Sequence, residues 1–384
     1  MKQLIQPRHK PTFNVPLQSQ NSDDKHWFWT TPWLMLLVVG LIGMVGVLAL
    51  YSAAHGAWKP WAMMHAIRLG IGFILMLVVA MFPIHFFRRY AVVWWGLAVV
   101  MLAVLEMIGT GKGVQRWFSI GGFNLQPSEP AKLAVLIMLA TYFHNIYADS
   151  MQYLRTYIPV LAIVFIPFIQ IMLQPDLGTS LMLLLSASII IFVAGIPRWM
   201  VMTVIGLVLA AVPIAWSMLY SYQKSRIMVF LNPDLDALGA GYQVTQSKIA
   251  LGSGGVVGKG YLQGSQSHLD FLPERQTDFI FTMIGEEFGF FGCIYVIALY
   301  TALIFLLLKY SFSVKTTFSR LLIIGVAAMI SFYVTVNIGM VSGILPVVGA
   351  PLPLISYGGT AMLTVFLGLG LVMSAMRNDQ DMKD

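Results

Sequence analysis

Residues 278–308 read DFIFTMIGEEFGFFGCIYVIALYTALIFLLL. Asp278, Glu286 and Glu287 stand near the start of this run, and from Phe288 onward it carries no charge. An apolar run of about 20 residues is what a helix needs to cross the ~30 Å hydrocarbon layer of a membrane. Comparable runs fall near 33–52, 62–82, 90–108, 130–147, 157–173, 177–194, 200–220, 321–343 and 358–376. The 384 residues are 58% hydrophobic and 10% charged, whereas a soluble domain would be roughly a quarter charged. The expected fold class is therefore all-α: a polytopic integral membrane protein with about ten transmembrane helices, forming a single domain over 33–376. The tails are 1–32 and 377–384. The first 30 residues lack the apolar core of a signal peptide, so the first span is expected to act as its own insertion signal. Cys293 is the single cysteine and cannot form an internal disulfide.

Ten spans put both termini on one side. With that side cytoplasmic, the inner segments hold thirteen Lys and Arg and the outer segments nine, Arg68 lying within the second span; this is the usual inward bias. Apart from Lys59, the outer cations fall in two places. One is the connection 109–132, with Lys112, Arg116 and Lys132. The other is a long extracytoplasmic loop, about 221–277, between helices seven and eight, with Lys224, Arg226, Lys248, Lys259 and Arg275. Cations kept outside against the bias suggest an anionic partner. The plainer reading is a solvated loop, since long loops translocate regardless of charge.

Upstream of the opening run, 251–277 reads LGSGGVVGKGYLQGSQSHLDFLPERQT. Its LGSGGVVGKG segment evokes a phosphate-binding P-loop, but Ser253 stands where that motif needs a glycine and Gly260 where it needs Ser or Thr. Pro273 brings the chain in extended, and Thr277 or Asp278 is expected to start the eighth span. Asp278 can be a helix-cap carboxylate there or a reactive group. Glu286 and Glu287 lie two turns deeper, and at least one must face the protein interior. In the connection 109–132, Ser128 reads as a helix N-cap and Lys132 falls one turn inside. Glu129 at i−3 gives Lys132 an ion-pair partner; lysine and arginine are also what a pyrophosphate needs. The last outer segment, SGILPVVGAPLPLISYGG (342–359), is rich in Pro and Gly and is expected to form part of a cavity wall, where non-helical backbone is tolerated.

Several segments together carry a family resemblance: QRW (115–117), QPSE (126–129), QPDLGTS (174–180), GAGYQVTQSKIALGSGG (239–255), GKGYLQGSQSHLDFLPERQTDFIF (258–281), GEEFG (285–289) and NIGMVSGILPVVGAPLPLISYGGTA (337–361). The sequence resembles the SEDS family (shape, elongation, division and sporulation), its RodA branch more than its FtsW branch. Gln276 stands where a histidine is common, and Ala350 where valine is common. The resemblance implies a peptidoglycan glycosyltransferase of the bacterial cytoplasmic (inner) membrane, with both termini cytoplasmic. It would polymerise lipid II into β-1,4-linked glycan strands for cell elongation, beside a class B penicillin-binding protein. Membrane lipid surrounds such a protein; nucleic acid is not an expected partner. The family's catalytic aspartate matches Asp278, expected as general base. Arg116, Glu129, Lys132, Lys248, Glu274 and Arg275 are the expected substrate-binding residues. Charge on the leaving pyrophosphate would be met by Arg116, Lys132 and Lys248 as a clamp, or by a divalent cation such as Mg or Mn; no metal ligand is assigned. The rival classes are a flippase for lipid II or another polyprenyl-linked sugar and a non-catalytic scaffold.

Overall fold

The computed structural model describes residues 33–108, 116–120, 123–146, 148–218, 221–232, 240–265 and 274–378. Its helices are α1 (Trp33–Ala53), α2 (Trp61–Met81), the short α3 (Ile84–Arg89), α4 (Ala91–Ile108), α5 (Ser128–His144), α6 (Ile158–Leu173), α7 (Leu177–Ala194), α8 (Arg198–Met218), α9 (Ser221–Leu231), α10 (Ala240–Ser253), α11 (Ile280–Ser313), α12 (Thr317–Val341) and α13 (Gly359–Asn378). A two-stranded antiparallel hairpin, β1 (Phe118–Ile120) and β2 (Phe123–Leu125), precedes α5. Each apolar run of the sequence falls on one long helix. Among the described residues, seven helices are long and apolar enough to cross a membrane, and α4 and the first half of α8 are shorter apolar helices.

The core lies around α5 and α12, whose side chains are buried on most faces. α12 packs against α5, α7, α11 and α13, and α2 lies along α13. Glycines allow the closest approaches: a methyl on Gly72 of α2 would overlap the Phe366 ring of α13.

Two features depart from the sequence reading. First, the stretch expected as a loop over 221–277 contains α9 and α10. These helices are too polar to register as spans, yet α10 has an inner face, with Ser247 and Ala250 buried and Ile249 exposed, and it packs on α11 and α12. Second, α11 starts at Ile280 with Phe279 as its cap residue, so Asp278 lies in the preceding turn and does not cap the helix.

α11 is 34 residues long, about 50 Å at 1.5 Å per residue, and it breaks at Gly289 (φ 64°, ψ −155°). The glycine-rich turn after α10 fills the break. Phe290 N donates to Gly255 O (2.9 Å), Lys259 N to Glu286 O (3.0 Å) and Gly260 N to Glu287 O (3.1 Å), so backbone groups released by the break find partners. A methyl on Gly254, Gly258 or Gly289 would overlap the opposing backbone. Both buried carboxylates here are satisfied: Lys259 Nζ meets Glu286 Oε1 at 2.7 Å, and Ser52 of α1 donates to Glu287.

Candidate active site

A cavity of about 430 Å³ opens where the head of α11, the starts of α5, α7 and α13 and the 347–358 segment converge. The sequence-selected residues Arg116, Glu129, Glu274 and Asp278 line it. So do Val347, Val348, Gly349 and Ala350, which makes the Pro- and Gly-rich segment the expected wall.

Asp278 is held by its backbone. Three successive carbonyls accept hydrogen bonds: Gln276 O from Tyr357 N (2.8 Å), Thr277 O from Ser356 Oγ (2.6 Å) and Asp278 O from Asn337 Nδ2 (2.9 Å). Ser356 is in turn oriented by Leu352 N, which donates to its Oγ (2.7 Å). The donors come from α12 and the 352–357 segment, elements distant in sequence from the turn they fix. A methyl placed on Gly349 would lie 3.5 Å from Asp278 Oδ2, in ordinary contact, so this glycine lies directly beside the carboxylate. Its φ of +76° also suits glycine alone among unstrained residues.

Two further acids of the lining are satisfied. Asp176 caps α7, accepting from Thr179 N (3.2 Å) and Thr179 Oγ1 (2.8 Å) and from Gln126 Nε2 (2.8 Å). Glu129 meets Lys132 Nζ at 2.7 Å and accepts from Tyr333 OH at 2.8 and 3.0 Å. Lys132 also donates to the Tyr333 hydroxyl and lies 4.4 Å from its ring centroid. Arg116 donates to the carbonyls of Gln174 (3.0 Å) and Pro175, and so braces the turn that presents Asp176.

The seven expected residues therefore divide. Lys132 is fully buried behind Glu129 and does not line the cavity. Lys248 lies against Gly343 at the end of α12, outside the lining. Arg275 turns away as well: its guanidinium is 3.2 Å from His55 Nε2 and 5.6 Å from the Trp61 ring. Gln126, Asp176, Gln243, Tyr333, Tyr357 and Thr360 line the cavity without having been singled out. Three of them, Gln126, Asp176 and Tyr357, lie in the QPSE, QPDLGTS and ISYGG segments, whose Pro and Gly content marks irregular backbone beside a polar side chain.

The described lining carries four acids and one cation, Arg116. Among the described residues no three His, Cys, Asp or Glu side chains cluster as a metal site, and the partners of Asp176 and Glu129 already occupy their oxygens. The donor set does not suit a protein-caged metal. Any divalent cation there would have to complete its shell with ligands from outside the protein.

Fold and site together define a multi-pass membrane protein with an acid-lined polar cavity at one end of its helix bundle. The FtsW/RodA/SpoVE family model, described as a cell cycle protein, matches residues 26–381, and the chain belongs to that family. The peptidoglycan glycosyltransferase MrdB of Escherichia coli K12 is 39% identical over 92% of this chain and 96% of its own. The peptidoglycan glycosyltransferase RodA of Treponema pallidum is 30% identical over 89% and 96%. Among solved structures, a chain from a peptidoglycan synthase complex that coordinates polymerization and crosslinking is 31% identical, with a TM-score of 0.79 over 90% of this chain and 98% of that one. The rod shape determining protein RodA of Thermus thermophilus is 27% identical, with a TM-score of 0.68 over 90% and 97%.

Proposed function

We propose that this chain is a peptidoglycan glycosyltransferase that polymerises lipid II, with Asp278 as general base. The observation that carries the reading is the placement of Asp278 in the cavity, fixed through three consecutive backbone carbonyls. A general base must hold its position to within a few tenths of an ångström. Anchoring the backbone achieves that.

The acceptor's 4-hydroxyl on GlcNAc attacks C1 of the donor MurNAc, the C1–O bond to undecaprenyl pyrophosphate breaks, and the hydroxyl proton passes to Asp278. One displacement converts the α-linked donor into a β-1,4 bond, so a single base suffices. Glu274, Gln126, Gln243, Thr360 and Tyr357 are positioned to bind sugar hydroxyl and amide groups. Arg116 supplies positive charge at the lining. If a Mg²⁺ or Mn²⁺ ion is used, Glu274 or Asp278 would hold it and it would supply charge stabilisation for the leaving group. Lys132 acts through Glu129, as a residue that sets its position. Arg275 supports the site from outside the cavity, through His55 and Trp61, and Lys248 takes no part in it.

The enzyme sits in the bacterial inner membrane with the cavity outward and both termini cytoplasmic. Its partner is a class B penicillin-binding protein that cross-links the product. A flippase is less well supported. Transporters place polar groups near the midplane in broken helices, and the break in α11 is sealed by the glycine turn and its two satisfied carboxylates. Purified protein with lipid II and the transpeptidase tests the reading. D278N should fold and bind lipid II but form no glycan, and wild-type polymerisation by D278N would refute the assignment.

A further inference from the structure

Two polar side chains of α2, His65 and Arg68, stand three residues apart and so share one face of the helix. Neither lines the cavity, yet both reach the segment that anchors Asp278. His65 is fully buried and bonds through Nε2 to Leu354 O at 3.1 Å. Because the partner is a carbonyl, Nε2 carries the hydrogen and donates it. Its Nδ1 is buried with no hydrogen-bond partner among the described residues, so this one bond is the polar task of the imidazole. The Arg68 guanidinium stacks 4.4 Å from the centroid of the Tyr357 ring.

The carbonyl that His65 holds belongs to a strained residue. Leu354 has φ +66°, a left-handed conformation that any side chain with a Cβ disfavours. Such strain persists only where the surroundings over-determine it. Here Tyr300 of α11 donates to Pro353 O, His65 donates to the next carbonyl, and Leu352 O accepts from Ile355 N (3.2 Å) and Ser356 N (2.9 Å). The His65 bond lies against bare backbone of α1: a methyl on Gly46 would lie 2.8 Å from both His65 Nε2 and Leu354 O. Just beyond Leu354, Ser356 Oγ donates to Thr277 O at 2.6 Å and Tyr357 N to Gln276 O at 2.8 Å. The left-handed kink therefore sets where these two donors stand, and they set where Asp278 stands. An apolar side chain would fill the space behind the turn without stranding Nδ1, so packing alone does not call for histidine.

We propose that His65 is a positioning residue for glycosyl transfer: its Nε2–H locks the Leu354 kink and, through Ser356 and Tyr357, fixes the backbone of Asp278. The inference rests on the reading of Asp278 as general base. It adds α2, which contributes no residue to the cavity lining, to the parts that hold the base in register.

The full chain with its transpeptidase partner and lipid II is assayed for kcat and KM, with thermal unfolding alongside. His65→Leu removes the donor and should lower kcat about tenfold or more, since a small misplacement of a reacting group is enough. KM should stay within about threefold, because the side chains that meet the substrate remain. His65→Gln, whose amide N–H can reach the position of Nε2–H, should bring kcat back to within about threefold of wild type. Ser356→Ala breaks the next link, and combined with H65L it should cost little more than the larger single loss, as two residues on one path do. A wild-type kcat for H65L, a loss that H65Q does not restore, or full additivity with S356A would overturn the proposal. If H65L does not fold, H65Q and H65N carry the test, as both keep a polar amide and only the longer one reaches Leu354 O. A kcat for H65N about tenfold or more below that of H65Q supports the proposal, and equal values overturn it. D278N separates the two levels. Wild-type glycan formation by D278N removes the base reading itself, whereas an inactive D278N beside a fully active H65L removes only the role of His65.

Discussion

Asn337 holds two backbone carbonyls at once, that of Asp278 at 2.9 Å and that of Ala350 at 2.7 Å. The two N–H groups of one buried amide on α12 thus set the distance between the base and the cavity wall. Asn337→Leu keeps the approximate volume and removes both donors. Two buried carbonyls left unpaired cost about 1–3 kcal/mol each. Polymerisation should fall by more than the melting temperature predicts, because Asp278 loses its register as well. A variant with normal turnover would show that the backbone anchor is dispensable.

Lys132 and Glu129 form an ion pair whose side chains are 0% and 5% exposed. Removing one partner of such a pair strands a buried charge and costs roughly 3–5 kcal/mol. Lys132→Met should lower thermal stability by that order, and adding Glu129→Gln should recover part of it. The double mutant should still lose activity, since Glu129 and its partner Tyr333 line the cavity. Thermal unfolding of the single and double variants checks the coupling.

Lys248 and Gln243 give opposite expectations on one helix. Lys248 is exposed and lies outside the lining, so Lys248→Ala should leave the KM for lipid II within about twofold, a surface change being worth about ±0.5 kcal/mol. Gln243 lines the cavity. Gln243→Ala should raise KM about fivefold or more with folding intact, matching the loss of one hydrogen bond of about 1 kcal/mol.

That contrast shows what the sequence could and could not convey. The ten apolar runs, the Glu129–Lys132 pair and the cavity wall at 342–359 were legible because each depends on local spacing or composition. Asp278 was legible through the motif around it. Which cations reach the cavity was not, because Lys248 and Arg275 sit beside motif residues in sequence but turn toward Gly343 and His55 in space. Asp176 stands in the QPDLGTS segment, and the packing of α7 against α5 brings it to the same cavity as Asp278. The helices α9 and α10 were not legible because polar residues interrupt both and neither has an apolar run to announce it.

Gly258 has φ +84° and faces the Glu287 carbonyl. Gly258→Ala adds both left-handed strain and overpacking, together about 2 kcal/mol or more. Lower yield and a lower melting temperature are expected although the residue does not line the cavity. A melting curve superimposable on wild type would mean the turn does not dock in the break.

The seam between the glycine turn and the interrupted helix has a wider consequence. Gly254, Gly258 and Gly289 leave no space for even a methyl group on either side, so an exhaustive substitution scan of this protein should return two separate intolerant zones. One would surround Asp278 and report chemistry. The other would trace this zipper of bare backbone and report only whether the long helix can be assembled, and abundance measured alongside activity would tell the two apart.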